Sequence, residues 1–143
     1  MRTILLSLFL ATSVFAAHKP APKKVIQPKG FPTGRPFSPG ILSGGTLYVS
    51  GTTGHDVKTR KLPDQFEDEV KQALDNIGEV LKEGGMGYEN AVSVQVYLTD
   101  MDLFERMNQV YTTYFKEPRP TRTTVGVAKL GGGAHIEITV TAR

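Results

Sequence analysis

Arg122 and Glu137 are the two residues whose types and placement could do chemistry. Each lies in a stretch where β-branched residues recur at every second position, which reads as a β-strand. Over 122–130, Val125 and Val127 share one face, and Arg122, Thr124, Gly126 and Ala128 share the other. Over 135–142, Ile136, Ile138 and Val140 point one way, while Glu137, Thr139 and Thr141 point the other. The Val and Ile faces are the expected core faces. That puts the arginine and the carboxylate on the opposite side, among small residues that could floor a pocket. A guanidinium offers a two-pronged donor to a carboxylate and stays charged at any relevant pH. A carboxylate can take a proton from a positioned water and pass it on. The alternative is a structural ion pair between Arg122 and Glu137 themselves.

Other chemistries find little here. There is no cysteine, and His18, His55 and His135 have no ligand spacing between them, so no metal and no cofactor is expected. No G-x-S-x-G element is present to support a serine hydrolase. The formal charge is +3, falling to +2 without Arg2, and much of the excess sits in Lys19, Lys23, Lys24, Lys29 and Arg35. That is no basic stripe with interleaved aromatics, so a nucleic-acid partner is not expected.

The elements that must position these residues read clearly. Residues 38–43 and 46–51 form two strands around Gly44 and Gly45, a hairpin turn. Asp64 and Glu67 offer a capping box to a helix whose apolar stripe is Phe66, Val70, Ala73, Leu74, Ile77, Val80 and Leu81, stopped at Gly84 and Gly85. Residues 91–98 form a strand with Val92, Val94, Val96 and Leu98 on one face and Gln95 and Tyr97 on the other. A second helix, capped by Asp100 or Asp102, buries Phe104, Met107, Val110, Tyr111 and Tyr114 and ends before Pro118. The order is β-β-α-β-α-β-β, an α+β domain with a mixed sheet and both helices on one face. The other face would carry Tyr48, Gln95, Tyr97, Thr124, Gly126, Ala128, Glu137 and Thr139. It is too mixed for an ordinary wet surface, and packing against copies of the same chain is the expected solution.

Length allows one domain. Ile4 to Phe15 is almost wholly apolar yet too short to span a bilayer, and Val14, Phe15 and Ala16 make a small-x-small cleavage site. Residues 1–16 are therefore expected to be a signal peptide that exports the protein to a periplasmic or extracellular location. Residues 17–34, with prolines at 20, 22, 28 and 32, are expected to be a flexible extended arm, and the folded domain to run from 35 to 143.

Six pieces in order then carry a resemblance: Phe37-Ser38-Pro39, Leu47 to Gly51, Val96 to Asp102, Asn108 to Tyr111, Pro120 to Val125, and Ile136-Glu137-Ile138. Together, over residues 35–142, they resemble the RidA/YjgF family. The resemblance implies a chorismate mutase-like subunit, a homotrimer, and clefts between subunits. There, active members hydrolyse reactive 2-imino acids and their enamine tautomers to 2-oxo acids and ammonia. It further implies that Arg122 grips the substrate carboxylate, and that Glu137 holds the attacking water with the backbone carbonyl at Thr124. Ser50 and Gly51 would line the cleft, with Asn108 near it and Phe37 in its wall. For Ser50 and Asn108 a purely structural hydrogen bond is an equal alternative. Phe37 stands where well-studied members have a tyrosine, Pro39 and Thr52 replace glutamines, Gly131 replaces a common proline, and the 115–120 segment is shorter. Two other function classes stay open: a trimeric binding protein without turnover, and RNA cleavage, a label the family sometimes carries.

Overall fold

The computed structural model describes residues 19–143; the leader at 1–16 and its cleavage site lie outside them. The strands are β1 (Lys24–Ile26), β2 (Gly40–Ser43), β3 (Thr46–Thr53), β4 (Ala91–Leu98), β5 (Thr121–Gly126) and β6 (Ile136–Ala142). The helices are α1 (Phe66–Glu83), between β3 and β4, and α2 (Phe104–Tyr114), between β4 and β5. They form one mixed sheet in the order β1-β2-β3-β6-β4-β5, in which only β4 and β5 run parallel.

β6 has the cleanest alternation and takes the central place. Its inward residues pair with inward residues on both neighbours: Val140 with Val49 and Val94, Ile138 with Val96, and Ile136 with Leu98. α1 packs over β3, β6 and α2, so both helices cover one face. The expected stripe of α1, from Phe66 to Leu81, is buried in full. Leu47, Met107, Tyr111 and Phe115 complete the core. Gly44 and Gly45 turn the β2–β3 hairpin at φ of 57° and 78°, a conformation that costs glycine least. No helix among the described residues is long and apolar enough to cross a membrane.

Several expectations need correction. β1 lies within the supposed arm, and Ile26 is 1% exposed in the core, so the sheet begins before Arg35. The prolines at 22 and 28 flank this three-residue edge strand rather than interrupting it, which is where a strand tolerates them. α1 is capped at Gln65 with no side-chain bond, so the Asp64–Glu67 box does not form. Asp100 does accept a bond from the Asp102 amide, at the short turn leading into α2. A bulge between Ala91 and Ser93 throws Val92 outward.

The largest correction concerns β5. Its Arg122 and Thr124 face was expected to lie opposite the core, but β5 sits at the sheet edge, with β4 between it and β6. Its register against β4 pairs Arg122 with Val94 and Thr124 with Val96, both core-facing. Arg122 and Thr124 therefore point to the helix side, and Val125, opposite Tyr97, faces out and is 41% exposed. β5 is an edge strand at the margin of α2, where an arginine can keep its stem against apolar groups and its head near solvent. The open face of the sheet thus presents Tyr48, Gln95, Tyr97, Val125, Glu137 and Thr139, with Thr124 moved to the other side.

Candidate active site

Glu137 is the second residue of β6 and faces away from the helices. Beside it, β3 bulges between Val49 and Thr52, which brings Gly51 under the Glu137 side chain. A Cβ at Gly51 would overlap Glu137 Oε1, so only glycine leaves the carboxylate its present position. Ser50, in the same bulge, donates from its amide to the Pro39 carbonyl at 2.9 Å and from Oγ to the Ser38 carbonyl at 2.7 Å. These bonds tie the loop that carries Phe37 to β3. Ser50 thus has the structural bond foreseen as one alternative. Phe37, Ser50, Gly51 and Glu137 line one cavity of about 540 Å³.

Arg122 belongs to a second cavity, of about 410 Å³, lined also by Asn108, Tyr111, Thr112, Arg119 and Pro120. Its guanidinium lies 4.5 Å from the Tyr111 ring centroid and 5.5 Å from that of Phe104, and its Nη1 is 4.0 Å from Met107 Sδ. A cation held over ring faces is attracted by their quadrupoles while its hydrogen-bonding edge stays free. Tyr111 is only 2% exposed, and burial pushes its phenol pKa up, with the Arg122 charge partly opposing. The Tyr111 hydroxyl and Thr124 Oγ1 are both buried without a partner. An unsatisfied phenol against this cation is a group that a polar ligand would complete.

The sequence-predicted residues therefore divide into two groups. Phe37, Ser50, Gly51 and Glu137 meet on one side; Arg122 and Asn108 meet on the other, with Thr124 two residues along β5. Arg122 and Glu137 are two strands apart and three positions out of register along β4, which places their Cα atoms roughly 14 Å apart. Their side chains leave opposite faces of the sheet. Within one chain they do not meet, and neither enters an ion pair among the described residues.

Sequence reasoning missed the groups that hold the Glu137 side in place. Glu69, on α1, is 1% exposed. Its Oε1 accepts the His135 amide at 2.7 Å and the Ile136 amide at 3.3 Å, and its Oε2 lies 2.8 Å from His135 Nδ1. Asn76, two turns further along the same face of α1, donates to the carbonyls of Thr53 and His55. His55 Nε2 lies 3.2 Å from the Gly132 carbonyl, to which it donates, and Nδ1 lies 2.9 Å from the Thr53 hydroxyl. A polar residue inside an otherwise apolar helical stripe was the available signal for Glu69. Among the described residues no group of three His, Asp or Glu side chains could hold a metal ion.

Comparison with known proteins adds to this geometry. A family model described as Endoribonuclease L-PSP matches residues 29–143. The chain is 38% identical over 109 residues to a RutC family protein of Aquifex aeolicus, covering 75% of this chain and 87% of that one. It is 39% identical over 108 residues to the 2-iminobutanoate/2-iminopropanoate deaminase of Homo sapiens, covering 75% of this chain and 79% of the relative. Among solved structures, it resembles the YjgF gene product of E. coli with a TM-score of 0.78 and 28% identity, over 83% of this chain and 97% of the other.

Proposed function

The chain belongs to the RidA/YjgF family, described as Endoribonuclease L-PSP, and from that premise we propose that the exported mature protein hydrolyses reactive 2-imino acids and their enamine tautomers to 2-oxo acids and ammonia. The reaction takes place where Arg122 of one chain meets Glu137 of a neighbouring chain in a homotrimer. The observation that carries this reading is Arg122 itself. Its guanidinium is fixed by the Tyr111 and Phe104 rings yet has no carboxylate partner among the described residues. The open sheet face, with Tyr48 53% and Val125 41% exposed, supports assembly with copies of the chain.

The chemistry follows from the groups. The Arg122 fork takes the substrate carboxylate and orients the adjacent C=N carbon. Glu137, with the Thr124 carbonyl, holds a water against that carbon and accepts its proton as the C–O bond forms. The proton passes to the nitrogen. As Glu137 takes the hydroxyl proton of the tetrahedral carbinolamine, the C–O bond becomes a carbonyl, the C–N bond breaks, and ammonia leaves with a 2-oxo acid remaining. An enamine enters by protonation at carbon. Gly51 supports the scheme by leaving the Glu137 carboxylate its space.

The test is ammonia release from freshly generated imines. Arg122→Ala should abolish turnover, and Arg122→Lys should lose most of it, because an ammonium cannot reproduce the fork. Inactive Arg122→Ala and Glu137→Gln chains, unfolded and refolded together, should recover activity, because some interfaces regain one intact copy of each residue. Equal activity in wild type and Arg122→Ala would sink the proposal, and no recovery in proven mixed trimers would overturn the shared site between chains. Phe37, which lacks the family hydroxyl, favours a second reading as a binding protein. Arg122-dependent binding of a 2-oxo acid with no turnover of any imine would establish that one.

A further inference from the structure

The cavity that holds Glu137 is also lined by two arginines that the proposed reaction does not use, Arg35 and Arg60. Arg35 stacks over the Phe37 ring at 5.5 Å, so its head is held at the cavity wall. Arg60 lies in a tight turn closed by its own amide on the Asp56 carbonyl and by the Asp56 amide on the Lys61 carbonyl, each at 2.9 Å. Its φ is 64°, the one left-handed non-glycine residue among those described. Such a conformation costs a bulky side chain of order 1 kcal/mol and persists where the surroundings impose it.

Neither arginine has a carboxylate partner among the described residues. The one carboxylate in this cavity besides Glu137 is Asp56, which already accepts the Thr59 amide at 2.6 Å and the Lys58 amide at 2.9 Å. Both His55 ring nitrogens are engaged, by Thr53 and Gly132. The cavity therefore offers, together with Glu137, two guanidinium groups without a carboxylate partner, and it has room for more than the smallest imino acids.

We propose that Arg35 and Arg60 bind a second anionic group on the substrate's side chain, so that the preferred substrates are 2-imino dicarboxylic acids. This rests on the proposed imine hydrolysis and deepens it. Arg122 of the neighbouring chain takes the carboxylate beside the C=N carbon, and the Arg35–Arg60 side takes the distal one. The reaction that supplies such a substrate must oxidise the C–N bond of an acidic amino acid.

The experiment compares kcat/KM for imines generated in place by amino-acid oxidation, one from aspartate or glutamate and one from a neutral amino acid of equal length. Wild-type protein should favour the dicarboxylic imine by about tenfold or more, since a hydrogen bond to a charged group carries that much discrimination. In Arg35→Gln/Arg60→Gly the ratio should collapse toward one, mostly through KM. Glycine at 60 accepts the left-handed turn, so the fold is kept. Added salt should lower the wild-type ratio in the same direction. A wild-type preference for the neutral imine, or a ratio unchanged in the double variant, would overturn the inference while leaving imine hydrolysis intact. If neither imine is turned over, the hydrolase reading fails separately. Calorimetric binding of 2-oxoglutarate then decides the cavity, by whether the double variant weakens it at least fivefold relative to 2-oxopentanoate.

Discussion

Replacing Glu69 with alanine should be among the most destabilising single changes in this protein. The carboxylate is 1% exposed and serves three donors at the start of β6. Removing it leaves the His135 and Ile136 amides without acceptors. An unmet buried amide costs about 1–3 kcal/mol, and the longer Ile136 bond belongs at the low end. The His135 ring loses its partner too, but that side chain is 58% exposed and water replaces the bond cheaply. The expected loss is therefore about 3–4 kcal/mol. With an unfolding entropy near 2.1 cal/mol/K per residue, that lowers the Tm of a domain this size by roughly 12 °C. Glu69→Gln retains an oxygen for the two amides and should cost only about 1 kcal/mol. The assay is thermal unfolding at one fixed chain concentration, because self-association would shift Tm by mass action. Hydrogen exchange at the His135 and Ile136 amides should accelerate selectively in the alanine variant. An alanine variant that melts within a degree or two of wild type, with those amides still protected, would refute the reasoning.

Two other consequences are direct. Gly51→Ala should fold normally, because the backbone there needs no positive φ and the overlapping atom is a carboxylate tip that can swing away. Displacing that tip should cut imine turnover by about 10²-fold, the usual penalty for misplacing a catalytic group by an ångström, and wild-type turnover in this variant would remove Glu137 from the mechanism. The exposed Glu67 carboxylate is held by the Arg106 guanidinium, which brings its pKa down from the usual 4.5 to about 2. A depressed acid contributes stability above its unfolded pKa, so the urea midpoint difference between wild type and Glu67→Gln should be present at pH 6 and fade from pH 4.5 toward pH 2. A difference that persists unchanged at pH 2 would contradict the assignment.

The site's organisation explains how its parts could be legible while their arrangement was not. The extra buried polar groups, Glu69 and Asn76, sit on the very helix whose apolar stripe was read correctly. A helical period identifies a face but assigns no role to a carboxylate within it. The role came from residues 66 positions away, at the first amides of β6. Likewise β1 was hidden because prolines at 22 and 28 are a strong local signal against structure, and a three-residue edge strand needs so few amides that they do not forbid it.

What the sequence determined by itself was local. It set the strand and helix periods, the glycine turn at 44 and 45, the stripe of α1, and the six ordered motifs that marked the family. These follow from backbone preferences and side-chain spacing, which act between residues a few positions apart. Tertiary structure decided which strand neighbours which, and so which face of each strand is covered. Alternation correctly grouped Arg122 with Thr124, and Glu137 with Thr139, but it cannot say which of two faces is inner on an edge strand. Inserting β4 between β5 and β6 turned Arg122 toward α2 and left Glu137 on the open side. Strand order is a long-range choice set by two helical crossovers, and it separates an arginine and a carboxylate that the linear chain places only fifteen residues apart.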